Sequence, residues 1–103
     1  MKIIKEIVRS ITDEIHGAEK YAKLATQWKT EDRALADTFE KMARTELEHV
    51  NMLHGHAVRR IKAYAASGKE APAAMKAVWD YEHENQIEWI ARINVLLDMY
   101  QKA

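Results

Sequence analysis

The stretch TELEHV, residues 45–50, decides how this chain is read. It lies inside a long amphipathic segment whose apolar residues, Leu35, Phe39, Met42, Leu53, Ala57, Ile61 and Tyr64, recur at helical spacing. Such spacing marks a helix with one buried face. Between Met42 and Leu53 the same face carries Glu46 and His49, where a packed core would take Leu or Ala. A carboxylate taken out of water alone is costly, so these groups must be paired, protonated, exposed or bound to metal.

Working outward, two further segments share this pattern. Helix one is predicted over about residues 3–28, on the stripe Ile4, Ile7, Ile11, Glu14, Ala18, Tyr21, Ala25 and Trp28. Thr30 offers an N-cap hydroxyl for helix two, with Glu31 and Asp32 in its first turn. Helix two is predicted over about 31–66 and stops at Ser67-Gly68, with Gly55 a weak point inside it. Pro72 suits the first turn of helix three, predicted over about 72–100 on Met75, Val78, Glu82, Gln86, Trp89, Ile93, Leu96 and Tyr100. No strand pattern competes. The expectation is an all-α protein, one domain over residues 1–103, with short connections that favour antiparallel neighbours.

Composition narrows the function classes. Sixteen basic and sixteen acidic residues balance, which gives no footing for nucleic acid or an anionic membrane surface. With no cysteine, disulfides, thiolate metal sites, iron–sulfur clusters and cysteine nucleophiles are excluded together. The opening MKIIKEIVRSI alternates charge with apolar residues, unlike a signal peptide, and no apolar run is long enough to span a bilayer. A soluble, cytoplasmic protein is expected.

Each helix thus carries polar groups in its apolar seam: Glu14 on the first, Glu46 and His49 on the second, Glu82 on the third. Glu46 and His49, at i and i+3, can reach a common ion. Carboxylate oxygens with one imidazole and no sulfur suit iron or manganese. A di-iron carboxylate bundle takes one Glu from each of two helices and one Glu-x-x-His from each of the other two. Glu14 with Glu46 and His49 is half of that set, which two chains about a twofold axis would complete. The alternative is a metal-free polar network that fixes register in a helical oligomerisation or adaptor protein.

The runs EIHGAEKYAKLA (14–25) and FEKMARTELEH (39–49) resemble the first half of a ferritin-like or rubrerythrin-like domain. Glu14 precedes Tyr21 by seven residues, and Phe39 precedes Glu46 by seven, as in that family pattern. The resemblance implies a ferritin-like antiparallel hairpin plus a third helix, completing a four-helix bundle by dimerisation. By it, Glu14, Glu46 and His49 match ligands of a di-iron centre, with manganese as the alternative metal, and Tyr21 matches a tyrosine just outside the ligands. The implied activity is a ferroxidase that oxidises Fe(II) for storage or detoxification, with a rubrerythrin-like peroxidase as a second option.

In size and half-set of ligands the chain resembles the encapsulated ferritins, which implies a homodimer or ring of dimers and an encapsulin shell. Asp13 and His16 flank Glu14 where residues on the iron route would lie. Glu82 precedes Trp89 by seven, resembling the third helix of a full bundle and implying a further ligand. The simpler expectation leaves helix three outside the dimeric core, with Glu82 paired to Lys, Arg or His.

The remaining candidates are assigned to ordinary roles. His54, His83 and Glu19 are expected to face solvent, and His56 to stand at the edge near His49. Trp28, Trp79 and Trp89 are expected in the core or an interface, and Met42, Met52, Met75 and Met99 as packing residues.

Overall fold

The computed structural model describes residues 2–68 and 73–102. It holds three helices, α1 (Lys2–Trp28), α2 (Arg33–Ala66) and α3 (Ala73–Lys102), with no strand among the described residues. Pro72 lies outside the described residues, as do the side chains of Met75 and Val78.

Helix α2 begins two residues later than expected. Asp32, not Thr30, is its N-cap, and its carboxylate accepts the Leu35 N–H at 3.0 Å. A carboxylate there also meets the positive end of the helix dipole, an advantage the Thr30 hydroxyl lacks. The helix runs unbroken through Gly55 to Ala66, where Ser67 caps it and Gly68 turns the chain at φ +81°. Only glycine adopts that left-handed conformation freely.

The buried seam of α1 is Ile4, Ile7, Ile11, Ile15, Ala18, Ala22 and Ala25; that of α2 is Ala36, Ala43, Val50 and Ala57. On α1 the seam keeps Ile4, Ile7, Ile11, Ala18 and Ala25 of the predicted stripe, with Ile15 and Ala22 in place of Glu14 and Tyr21. On α2 it keeps Ala57, with Ala36 and Ala43 in place of Leu35 and Met42. Periodicity favours large apolar side chains, but where Ala18, Ala22 and Ala25 of α1 and Ala36 and Ala43 of α2 are fully buried, small side chains take the centre of the contact. Ile4, Ile7, Ile11 and Ile15 fill the rest of the α1 seam. Along the alanine stretch the larger residues turn to the sides. Leu35 and Met42 are consequently exposed, as are Met52 and Met99, so these methionines are not packing residues.

Direction follows from the contacts. Glu14 faces His49 and Tyr21 stacks on Phe39, so α1 and α2 are antiparallel. Gln86 donates to the Val8 carbonyl and to Thr12 Oγ1, Trp89 meets His16 and Glu19, and Lys29 donates to the Tyr100 carbonyl at 2.6 Å. Helix α3 therefore runs parallel to α1, with Ile93, Leu97 and Tyr100 buried. Its far end is clamped by the Tyr100 hydroxyl donating to Asp37, while Arg33 and Lys29 stand over the Tyr100 ring.

The molecule is a rod of 57 × 19 × 18 Å with a radius of gyration of 16.5 Å. A compact domain of this length has about 13 Å. Its exposed surface of 6979 Å² exceeds by about 1,000 Å² that of a compact monomer of equal mass.

His54 and His83 do not face solvent freely. They stack with centroids 4.6 Å apart, and both stack on Trp79, joining α2 to α3. Burial, and secondarily His83, lower the His54 pKa. The cavity beside His54 and His83 is otherwise lined by uncharged residues: Ile11 of α1, Val50 and Asn51 of α2, and Gln86, Ile87 and Ile90 of α3. The unfolded chain therefore binds a proton at His54 that the folded chain resists, and stability falls as pH drops below about 6.5. Asp37 and Glu19, held below their usual values chiefly by hydrogen bonds from Tyr100 and Trp89, contribute stability present above about pH 4 and lost as pH falls through their folded values. Urea unfolding should show decreasing stability from pH 7.5 to 5.5. His54→Phe, which keeps a ring in the stack, should remove much of that loss.

Candidate metal centre

On a helix of 3.6 residues per turn, Glu14, Gly17 and Tyr21 share one flank of α1. Val8, Thr12, His16 and Glu19, which meet α3, stand on the other. On α2, Glu46 and His49 lie beside the seam on the flank that also carries Leu35, Met42 and Met52. The antiparallel pairing brings the two polar sets level.

One ligand atom from each of Glu14, Glu46 and His49 lies within 4.8 Å of the others. His49 Nδ1 is 3.3 Å from Glu14 Oε2. The side chains of His49 and Glu14 are 46% and 28% exposed, so this is a half-wet pair of the kind worth roughly 0–1 kcal/mol. It does little to hold the helices together. Partial exposure has a different use: both carboxylates stay solvated without metal and remain reachable by a cation.

The donor set passes a simple test of fit. Two carboxylates and one imidazole suit Fe(II), Fe(III) or Mn(II), and the spacing lets modest side-chain rotation bring all three onto one ion or a bridged pair. A cleft of about 360 Å³ lined by Glu14, His49, Met52, Leu53 and His56 gives access. His56 lines it at the rim, but its Nδ1 accepts from Arg59 at 3.3 Å, which sets a fixed cation beside it.

The other expected site residues stand elsewhere. Tyr21 is half-buried and stacks on Phe39, centroids 6.0 Å apart, about two turns along α1 from Glu14. His16 packs edge-on against Trp89 at 4.4 Å, on the flank that α3 covers. Asp13 is exposed on α1, and Glu82 is half-buried on α3 one turn before Gln86. Neither Asp13, His16 nor Glu82 joins the cluster among the described residues.

Two residues have roles that periodicity did not reveal. Glu19, expected in solvent, accepts the Trp89 indole N–H at 2.8 Å and ties α3 to α1. Gly17 lies directly beneath the Glu46 carboxylate. An isolated glycine inside a helical pattern, one turn from a candidate ligand, was the available signal for it.

A three-helix all-α chain with a carboxylate–imidazole cluster on the side of an antiparallel hairpin has a ferritin-like fold. The family model described as Rubrerythrin matches residues 5–103, and the chain belongs to the rubrerythrin family, whose members characteristically carry di-iron centres. Searches of curated proteins and of solved structures give no match. Among the described residues no helix is long and apolar enough to cross a membrane.

Because Glu19 and Trp89 are each other's partners across the α1–α3 contact, Glu19→Ala should lower stability by about 1–2 kcal/mol in urea unfolding. Glu48→Ala, at an exposed position of α2, should fall within about 0.5 kcal/mol of the parent.

Proposed function

We propose that the protein is a ferroxidase that oxidises Fe(II) to Fe(III) for storage or detoxification, at a di-iron centre built between two copies of the chain. The convergence of Glu14, Glu46 and His49 on the open side of the hairpin, in a rubrerythrin-family chain, carries this reading. A bound iron pair supplies one-electron cycling between ferrous and ferric states, with dioxygen as acceptor. The protein's part is to hold the pair and leave it reachable. Glu14 and Glu46 would balance its charge, and carboxylates tolerate both oxidation states. His49 would contribute a ring nitrogen, its Nδ1 now lying 3.3 Å from Glu14 Oε2.

One chain offers one Glu and one Glu-x-x-His, half of the usual set. The ligand flank also exposes Leu35, Met42 and Met52, and the rod carries about 1,000 Å² more surface than a compact monomer. Both support a homodimer, or a ring of dimers, joined across this flank so that apolar surface and ligand half-sets meet at once. The likeness to encapsulated ferritins extends the proposal to enclosure in an encapsulin shell, with the cytoplasm as its compartment. Helix α3 lies on the opposite flank of α1, which supports a place for Glu82 outside the centre.

One observation favours a second reading. His49 and Glu14 meet each other directly at 3.3 Å, as members of a polar network in an oligomerisation or adaptor protein would.

Removing a ligand separates the two. Glu46→Ala, His49→Ala and Glu14→Ala should each lower the Fe(II) oxidation rate by about two orders of magnitude or more, since a twofold axis repeats every substitution. Tyr21→Phe should fall between, while Glu48→Ala and Glu82→Ala should stay near the parent. Wild-type oxidation no faster than that of Glu46→Ala sinks the ferroxidase reading.

Metal linked to assembly is a separate expectation. Fe(II) or Zn(II) at about 100 times its dissociation constant should stabilise the fold by about 2.7 kcal/mol and shift light scattering toward the dimer. No change in either favours the metal-free network.

A further inference from the structure

Helices α1 and α2 each carry a glycine in their interiors, Gly17 and Gly55, where alanine would favour the helix. Their surroundings differ. A Cβ built at residue 55 meets nothing within 4 Å. At residue 17 it would lie 3.3 Å from Glu46 Oε2, 3.4 Å from Glu46 Cδ and 3.6 Å from Glu46 Cγ. Helix spacing alone does not require a glycine, because Ala18, Ala22 and Ala25 place fully buried methyl groups in the adjoining α1 seam. The three atoms nearest to a Cβ at Gly17 all belong to one side chain, the carboxylate end of a residue that the sequence and the cluster both single out.

We propose that Gly17 is a positioning residue for Glu46. The missing side chain leaves the space in which the Glu46 carboxylate turns toward Glu14 and His49, so that the three ligand atoms lie within 4.8 Å of one another. This rests on the reading of that trio as a metal centre. A methyl group at residue 17 drives Glu46 off by a few tenths of an ångström, and a branched side chain drives it further. Ligands must be held within about 0.5 Å of their productive geometry, so a methyl group consumes much of that tolerance and a branched side chain exceeds it. The glycine thereby sets metal affinity without touching the metal.

Two measurements test this on the full chain. The first needs no metal and uses melting temperature with helicity as a check. Gly55→Ala should raise the melting temperature by about 4–8 °C, the ordinary gain from replacing a helical glycine. Gly17→Ala should gain much less in the wild-type background, yet gain as much as Gly55→Ala when combined with Glu46→Ala. Equal gains at residue 17 in both backgrounds overturn the proposal.

The second is calorimetric titration with Zn(II), which is redox-silent. Gly17→Ala should weaken binding about tenfold. Gly17→Val should approach Glu46→Ala, while Gly55→Ala matches the parent. Unchanged Zn(II) affinity in folded Gly17→Ala overturns the positioning role even where the melting cycle shows coupling. If the wild-type chain takes up neither Zn(II) nor Fe(II), the metal reading fails as well. That failure shows in the parent, whereas failure of the Gly17 proposal shows only in the variants.

Discussion

Everything in this molecule depends on how closely α1 and α2 approach. Ala18, Ala22 and Ala25 on one helix and Ala36, Ala43 and Ala57 on the other are fully buried, and none has a side chain that could hold the axes apart. Along this alanine stretch the bulkier Tyr21, Leu35 and Met42 stand on the flanks of the pair, while the isoleucines fill the seam toward the start of α1. Close approach also solves the difficulty posed by two carboxylates and an imidazole on an amphipathic face. Placed in the seam, Glu14 and Glu46 would lose their water and need full compensation. Placed one position off it, they keep part of their hydration and still converge.

The hairpin consequently has two unlike sides. One is covered by α3, and the docking there is partly polar. Gln86 reaches Thr12 and the Val8 carbonyl, Trp89 reaches Glu19, and Tyr100 reaches Asp37. No buried side-chain nitrogen or oxygen among the described residues lacks a partner. Directional bonds of this kind fix the register of a helix whose apolar contacts alone would tolerate sliding. The other side carries the cluster between Leu35, Met42 and Met52, without a covering element among the described residues.

The number of helices, their antiparallel pairing and their termini within a few residues were legible in the sequence. So was the nearness of Glu14, Glu46 and His49, because a spacing of three keeps Glu46 and His49 on one side of α2 and the antiparallel pairing brings Glu14 level with them. The centre of the seam was legible on α1, where Ile4, Ile7, Ile11, Ala18 and Ala25 are buried as predicted, but not on α2. A stripe drawn through the bulkiest residues puts Met42 and Leu35 in the core, whereas helix contact selects Ala43 and Ala36. The cap was misread because Thr30 and Asp32 are both good candidates, and only backbone geometry chooses between them. Glu19, His54 and His83 looked solvated because their partners lie on helices distant in sequence. Periodicity reports which face a residue occupies, not what comes to meet it.

The connection between α1 and α2 has a kinetic counterpart. Residues 29–32 close the hairpin, so contacts near that turn form at little cost in chain entropy. The bonds that seat α3 join residues 63–78 positions apart and require nearly the whole chain to be brought back on itself. Local pairing of this kind forms faster than distant pairing. The hairpin is therefore the natural nucleus, with α3 arriving later. Glu14, Glu46 and His49 all belong to it, so the cluster is assembled in the earliest part of the molecule to take shape, before the third helix has found its place.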